Sequence, residues 1–246
     1  MLFRSGVPVV MKELLSAGLL HGDVMTVTGS TLAENLEGVP ALDEMPAQDV
    51  VRPCSQPLAP AGQHITVLRG NLAPESCVLK LSGKVLAAGR FRGPARVFES
   101  EADTMAAIRD GRIVAGDVVV VRNVGPVGGP GMPEMVMLTV QLQGRGLGAD
   151  VALITDGRFS GVSHGILVGH ISPEAARGGP LACVREGDII VIDPVARTLD
   201  VELSQDEIAQ RMESWTAPDL SSRVRPGSVL DKYVRFVSSA HFGCVL

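Results

Sequence analysis

The sequence predicts an α+β fold in which a barrel of short β-strands carries flanking helices. Glycine and proline account for 28 and 16 of the 246 residues, and aromatic residues for 3%, which favours short strands and tight turns over a long helical bundle. Strand-like apolar segments bounded by turn residues recur along the chain. Many short strands with few helices are typical of a barrel or a sandwich, and they argue against a doubly wound sheet.

The strand-like segments all lie after residue 64. Hydrophobic residues make up 46% of the chain, so a sizeable core is available to the predicted barrel. The predicted strands are Ile65–Leu68, Val78–Leu81, Asp117–Val121, Val151–Ile154, Asp188–Ile192 and Leu199–Leu203.

Two helices are predicted within the first forty residues. The first covers an apolar run from Val7 to Leu15 and is followed by Gly18, which suits a C-cap. The second covers residues 32–36 and ends before Gly38. Because the first helix is apolar across its whole width, we expect it to need partners on several sides and to favour a homo-oligomer.

Prolines at positions 40, 46, 53, 57 and 60 predict a linker over residues 41–64, because proline interrupts regular elements. Further along, Ser100-Glu101-Ala102-Asp103 is a capping signal for a helix that continues through Met105–Arg109 and stops at Gly111. Ser204 and Glu207 form a capping box for a helix that runs to about residue 215.

Another helix is predicted to begin at Ser172-Pro173-Glu174, with serine as the N-cap and proline in the first helical position. The carboxylate of Glu174 would then interact with the positive end of the helix dipole. This pattern predicts a structural role for Glu174.

The charge balance argues against a general nucleic-acid binder. The chain has 22 basic and 27 acidic residues, a net charge of −5, and lacks the basic excess expected of a phosphate-binding surface. No apolar run is as long as a membrane span, and the first residues do not resemble a secretion signal. We therefore expect a soluble, cytoplasmic protein without nucleic-acid or membrane partners.

Four cysteines, at positions 54, 77, 183 and 244, are scattered along the chain. None forms a Cys-x-x-Cys pair, so the spacing excludes a zinc ribbon and a complete iron–sulfur ligand set. A disulfide framework is also not expected at this density and chain length.

A glycine-rich loop, residues 125–135, directly follows the predicted strand Asp117–Val121. Its glycines and prolines carry little side-chain bulk and expose backbone N–H groups, which suits the close approach of a ligand. Glu134 lies at the far end of this loop and is a candidate functional carboxylate. A solvent-exposed turn with a surface glutamate would have the same pattern, so the residues alone leave both interpretations open.

A second candidate, the serine loop of residues 155–165, follows the predicted strand Val151–Ile154. It brings hydroxyl, carboxylate, guanidinium and imidazole groups together, including those of Ser160, Ser163 and His164. Loops at strand ends are where a rigid scaffold presents reactive groups. The alternative is an anion-binding turn without chemistry, in which His164 makes a structural hydrogen bond.

Spacing excludes two familiar motifs. The run Gly157-x-x-Ser160-Gly161 differs from the Gly-x-Ser-x-Gly elbow of esterases, because its serine is offset by one position. The run at residues 144–148 resembles part of a dinucleotide fingerprint, but it precedes a strand and so lacks the phosphate-binding geometry.

Several motifs together make the chain recognisable. It resembles the C-terminal part of the dihydroxy-acid dehydratase and phosphogluconate dehydratase family, and the dihydroxy-acid branch most of all. The resemblance covers almost the whole chain, and the joint occurrence of its motifs is highly specific. The motifs are Gly128–Met135, Thr155–Gly161 and Gly169–Ala175, supported by Thr26–Gly29, Arg69–Pro74 and Gly93–Phe98.

The resemblance implies a domain organisation. Residues 65–215 would form a swivelling β-barrel domain, followed by a C-terminal tail at residues 216–246. Residues 1–40 would be the end of a larger N-terminal domain, which in the family supplies the iron–sulfur cysteines and most magnesium ligands. The four cysteines of this chain do not match the cluster positions, so we expect the cluster domain as a partner, in cis or in trans.

The resemblance also implies roles for three residues. Glu134 matches the glutamate that binds Mg²⁺, a role that suits a hard carboxylate oxygen. Ser160 matches the serine proposed to remove the proton beside the substrate carboxylate, and Ser163 holds a nearby position suited to binding that carboxylate. A serine is a poor base unless its alkoxide is stabilised, so the role of Ser160 requires nearby cations or hydrogen-bond donors.

The implied function is that of a hydro-lyase, which converts a 2,3-dihydroxy carboxylic acid into a 2-oxo acid with loss of water. We expect this chain alone to be inactive, because it lacks the cluster ligands. Branched-chain dihydroxy acids, as in branched-chain amino acid biosynthesis, and sugar acids both remain open as substrates. The alternative function is a noncatalytic barrel module that binds small anions or a partner chain.

Overall fold

A computed structural model describes residues 6–45, 48–58, 64–81 and 89–246. The chain divides into two compact units, Met1–Pro60 and Ala61–Leu246. The division falls inside the segment predicted as a linker, residues 41–64.

The first unit contains the two predicted helices, α1 (Val7–Ser16) and α2 (Leu32–Leu36), followed by a short 3₁₀ turn at Leu42–Glu44. A capping box begins α2: the backbone N–H of Glu34 donates to Thr31 Oγ1 at 3.3 Å, and the N–H of Thr31 donates to the Glu34 carboxylate at 2.7 Å. Within α1 only Val9 is buried. Whether α1 mediates self-association stays a prediction.

The second unit is built on a closed barrel of eight strands, which confirms the predicted α+β barrel class. Around the barrel the order is β1-β2-β6-β5-β4-β3-β7-β8. The strands are β1 (Ile65–Gly70), β2 (Ala73–Lys80), β3 (Phe91–Phe98), β4 (Val118–Val121), β5 (Ala152–Thr155), β6 (Ile166–Ser172), β7 (Ile189–Asp193) and β8 (Thr198–Val201).

The four strands from β3 to β6 run parallel to one another, with the pairs β3–β4, β4–β5 and β5–β6. Alternate residues of β4 face two different cores: Val118 and Val120 belong to the barrel interior, whereas Val119 and Val121 pack in a second cluster outside it. Burial on both faces explains why this strand is a continuous apolar run. Parallel pairing also places the loops after β4 and β5 at the same end of the barrel.

Helices cover the outside of the parallel strands. The side chains of α3 (Glu101–Arg109) and α4 (Val136–Gly144) join the outer cluster, for example Ile108 and Leu138. The predicted capping box begins α5 (Gln205–Glu213), whose Ile208 packs against the barrel interior cluster. The sequence did not reveal α4. None of the helices in the described ranges is both long and apolar enough to cross a membrane.

The predicted helix at Ser172 is wrong. Ser172 is the last residue of β6, and only a three-residue 3₁₀ turn, Ala175–Arg177, follows. The capping pattern was overridden because Ser172 pairs with Ser76 of β2 as part of β6. Strand β3 was also missed, because Gly93 and Pro94 within it are typical turn residues.

The last part of the chain, residues 216–246, contains α6 (Val229–Phe236) and a short 3₁₀ turn, Ala240–Phe242. Val237, with Tyr233 and Val234 packed beside it, joins a small apolar cluster with Val127 and Ala176. The segment predicted as a tail therefore contacts the glycine-rich loop.

Candidate functional site

The glycine-rich loop and the serine loop meet at the carboxyl ends of β4 and β5. The parallel pairing of these strands extends to Val121 and Thr155, so both loops leave the barrel side by side. Further along the two loops, Glu134 and Arg158 form an isolated parallel β-bridge. This bridge places the backbone of the candidate metal ligand Glu134 beside that of Arg158, which precedes Ser160 by two residues in the chain.

Close backbone packing explains the glycines of the glycine-rich loop. A Cβ atom on Gly128 would lie 2.7 Å from the carbonyl carbon and oxygen of Asn123, and one on Gly129 would lie 2.9 Å from Cα of Val124. Neither distance is tolerated by a real side chain. The loop therefore folds back onto the end of β4. Such close packing is expected both for a loop that a ligand approaches closely and for a rigid turn.

Asp156, for which no individual role was predicted, holds several segments together. Its carboxylate is fully buried and accepts hydrogen bonds from the backbone N–H groups of Asn123, Val124 and Ala175 at 2.9–3.1 Å. Burial raises the pKa of Asp156 to about 6, and the hydrogen bonds to its charged form oppose that rise.

Glu174 has a different role from the one predicted. No regular α-helix begins at this position, so there is no helix dipole for it to serve. Its buried carboxylate instead accepts hydrogen bonds from the N–H groups of Val127, at 2.8 and 3.1 Å, and Gly128, at 2.9 Å. Burial raises the pKa of Glu174 to about 7. Glu174 thus anchors the start of the glycine-rich loop.

Arg223, from the C-terminal segment, holds the same loop from another side. Its Nη1 donates to the carbonyl oxygens of Asn123 at 2.6 Å and Gly128 at 2.5 Å. Asn123 has a positive φ of 59°, and its side-chain amide donates to the carboxylate of Glu99 at 2.6 Å. These contacts fix the strained backbone at the end of β4.

The two candidate serines lie next to each other in the serine loop. Their Oγ atoms are 3.5 Å apart, and the backbone N–H of Val162 donates to Ser160 Oγ at 3.3 Å. Ser163 is buried, whereas Ser160 is partly exposed. Ser160 also lines a cavity of about 240 Å³, together with Lys80 and His170. The two hydroxyls therefore lie close together, and Ser160 alone of the two borders a space for a small ligand.

One histidine, His170, lines this cavity, and a second, His164, belongs to the serine loop. His170 is partly buried, and burial, with a smaller contribution from the charge of Arg158, lowers its pKa. A lowered pKa favours the neutral imidazole at neutral pH. His164 is exposed, and its backbone carbonyl accepts a hydrogen bond from the Gln143 side chain at 3.4 Å.

The resemblance implies two cofactors, Mg²⁺ and an iron–sulfur cluster. The side chains of this chain suit Mg²⁺ in part. Glu134 is exposed, and its charge adds to burial in raising the pKa of Glu101, so these carboxylates lie near each other. A single carboxylate such as Glu134 suits Mg²⁺ as one ligand of several. Over the described part of the chain, no group of three or more His, Cys, Asp or Glu residues is arranged to hold a metal.

The cysteines do not suit an iron–sulfur cluster. Cys77 and Cys183 are buried in the barrel interior cluster, and all four thiols are free. Cys54 is exposed in the first unit, and Cys244 lies 3.7 Å from the sulfur of Met132. A cluster needs several thiolates around one centre, and the three cysteines of the barrel unit do not provide that.

Comparison with known proteins identifies close relatives. The profile of the family described as "Dihydroxy-acid/6-phosphogluconate dehydratase C-terminal" matches residues 49–244. A dihydroxy-acid dehydratase of Chloroflexus aurantiacus is 55% identical over 242 residues, which is 98% of this chain and 42% of the relative. Dihydroxy-acid dehydratases of Francisella tularensis subsp. novicida and Methylococcus capsulatus are 51% and 52% identical, each over 98% of this chain and 41% of the relative.

Proposed function

Because the chain belongs to the dihydroxy-acid/6-phosphogluconate dehydratase family, we propose that it forms the serine-bearing part of a hydro-lyase. The enzyme converts a 2,3-dihydroxy carboxylic acid into a 2-oxo acid with loss of water. The observation that carries the proposal is the pair of adjacent hydroxyls, Ser160 and Ser163, next to the loop that carries Glu134.

In this proposal Ser160 removes the proton from the carbon beside the substrate carboxylate. Its hydroxyl borders a cavity, and the N–H of Val162 donates to Oγ at 3.3 Å. A backbone donor at this position stabilises negative charge on the oxygen, which is the requirement for a serine to act as a base.

Ser163 binds the substrate carboxylate, with its hydroxyl 3.5 Å from that of Ser160. This arrangement would orient the substrate so that the acidic C–H bond faces Ser160. Ser163 is buried and is not among the residues that line the cavity, so this role requires the serine loop to shift when substrate binds.

Glu134 supplies one oxygen ligand to Mg²⁺, and the remaining ligands come from outside this chain. When bound, Mg²⁺ stabilises the negative charge that develops on substrate oxygens. The β-bridge between Glu134 and Arg158 supports this role, because it holds the glutamate backbone beside the serine loop.

The chain spans only about two fifths of the length of the curated relatives it matches. Its cysteines are not arranged to bind a cluster. We therefore propose that activity requires a polypeptide with the cluster-bearing domain, in cis or in trans. We also propose a cytoplasmic location and a homo-oligomeric assembly for the active protein.

The test compares the purified chain with a completed enzyme, in which the chain is combined with the unmatched part of the Chloroflexus aurantiacus relative, in trans or by fusion. Formation of 2-oxo acid is measured with a branched dihydroxy acid and with a sugar acid. We expect no turnover by the chain alone, even after iron reconstitution, and turnover by the completed enzyme.

Turnover by the chain alone would show that the requirement for a partner is wrong. A completed enzyme that carries its cluster but forms no 2-oxo acid would contradict the hydro-lyase assignment. If that inactive protein still bound small anions, the noncatalytic barrel module would be the better description.

A further inference from the structure

Lys80 makes an unusual set of contacts beneath the serine loop. Its Nζ donates to three backbone carbonyl oxygens, those of Ser160 at 2.8 Å, Gly161 at 2.6 Å and Ser163 at 2.7 Å. An ammonium group has three N–H donors, so these carbonyls use all of them. One side chain therefore holds both candidate serines through their own backbone.

The barrel fixes the position of Lys80. It is the last residue of β2 and pairs with Ile65 of β1 on one side and with Leu167 of β6 on the other. The side chain thus extends from a strand that is hydrogen-bonded on both edges. Since β6 directly follows the serine loop, the lysine and the loop are joined to the same rigid sheet.

Among the described residues, no carboxylate forms an ion pair with Lys80. Partial burial lowers its pKa, as expected for a cation that is desolvated without an anionic partner. Its positive field therefore acts on the dipoles of the serine loop.

The three contacts also orient the N–H groups of the loop. The C=O and N–H bonds of a trans peptide point in opposite directions. The carbonyls of residues 160, 161 and 163 point toward Lys80. The N–H groups of the same peptides, those of Gly161, Val162 and His164, therefore point away from it. One of these, the N–H of Val162, donates to Ser160 Oγ at 3.3 Å.

We propose that Lys80 is a positioning residue for Ser160: by gathering the three carbonyls, it aims the N–H of Val162 at Ser160 Oγ and stabilises negative charge there. This inference rests on the proposed role of Ser160 as the base. It answers the chemical difficulty of that role, because a serine alkoxide forms only where fixed donors and positive charge favour it.

The contacts of Lys80 are tested first in the unmodified chain, by the rate at which an acylating reagent labels each lysine. We expect Lys80 to react at least about tenfold more slowly than the exposed Lys232, because all three N–H bonds are engaged. Equal rates for the two lysines would contradict the contacts on which the inference depends.

Variants then test whether Lys80 orders the loop. In Lys80→Met, hydrogen exchange of residues 159–165 should accelerate about tenfold while exchange in β4 and β5 is unchanged. Lys80→Arg keeps the positive charge, but the planar guanidinium arranges its N–H donors differently from an ammonium group. We therefore expect this variant to protect residues 159–165 from exchange only in part. Lys232→Met is the matched control. Unchanged exchange in both Lys80 variants would overturn the proposal.

The catalytic part of the inference is tested in the completed enzyme. We expect Lys80→Met to lower kcat about 100-fold with KM changed less than about threefold, because the lost stabilisation acts on the transition state. The deuterium isotope effect for substrate labelled beside the carboxylate should rise, since proton removal becomes slower. A purely structural role would leave that isotope effect unchanged.

A parallel Ser160→Ala variant separates the two claims. If Ser160→Ala abolishes turnover and Lys80→Met retains the full rate and isotope effect, the role of Lys80 is wrong and that of Ser160 survives. If Ser160→Ala retains full activity, the proposed base is wrong, and a slower Lys80→Met enzyme would then reflect something other than Ser160.

Discussion

Two buried carboxylates, Asp156 and Glu174, organise the candidate site at the residue scale. Asp156 accepts hydrogen bonds from three backbone N–H groups in two separate segments. Glu174 accepts hydrogen bonds from two backbone N–H groups of the glycine-rich loop. Each carboxylate satisfies donors that would otherwise be buried without partners. The serines and Glu134 can take up defined positions because these residues fix the loops behind them.

The pH dependence of stability tests this arrangement. Burial raises the pKa of Asp156 to about 6 and of Glu174 to about 7, above the ordinary values of 3.8 and 4.5. At these two carboxyl groups the folded state therefore binds more protons than the unfolded state between about pH 4 and pH 7. We expect these two groups to lower the stability of the barrel unit as the pH rises through this range.

Guanidinium unfolding at pH 4.5 and pH 7.5 measures the effect. In Glu174→Gln the loss of stability between these two pH values should be smaller than in the unmodified chain, because one of the two groups no longer titrates. The exposed Glu213→Gln provides the control and should leave the pH dependence unchanged. An identical pH dependence in Glu174→Gln would show that Glu174 does not titrate in this range.

At the element scale, the loop after β4 depends on glycine where the backbone doubles back. Gly128→Ala places a Cβ 2.7 Å from the Asn123 carbonyl. Asn123 has little freedom to shift, since Asp156 holds its N–H and Arg223 holds its carbonyl. We expect a loss of about 1–3 kcal/mol in the free energy of unfolding, measured by denaturant titration.

Gly144→Ala is the matched control for this substitution. Gly144 ends α4, and a Cβ there would have nothing within 4 Å. Replacing a helical glycine by alanine is neutral or stabilises by up to about 1 kcal/mol. If Gly128→Ala were as stable as Gly144→Ala, the loop would not be packed as closely as the structure has it.

The elements differ in how far the sequence predicts them. The apolar strands β4 and β5 and the capped helices α3 and α5 carry strong local signals and are where we expected them. Strand β3 contains a Gly-Pro pair, and its formation depends on pairing with β4 and β7. Local patterns do not encode such partners, which lie more than 20 residues away in the chain.

The candidate site shows the same limit. Family resemblance pointed to Glu134, Ser160 and Ser163, and the structure brings the two serine hydroxyls within 3.5 Å. The contacts of Lys80 and Glu174 with these loops were not predicted. Lys80 contacts a loop 80 residues away and Glu174 a loop 47 residues away, so only the folded barrel reveals them.

At the scale of the whole molecule, the barrel unit brings the candidate site residues to a common region. Parallel strands aim the glycine-rich loop and the serine loop to one end, and the C-terminal segment supports them through Arg223 and the cluster around Val237. The groups that would complete the chemistry, a cluster and further magnesium ligands, are proposed to come from a partner domain.

The central claim is that Ser160 removes the proton beside the substrate carboxylate. The most direct measurement is the release of deuterium to water from substrate labelled at that carbon, by the completed enzyme. We expect release to accompany turnover, to fall at least about 100-fold in Ser160→Ala, and to persist in the control Ser214→Ala, an exposed serine at the end of α5. Release at the normal rate by Ser160→Ala would contradict the claim.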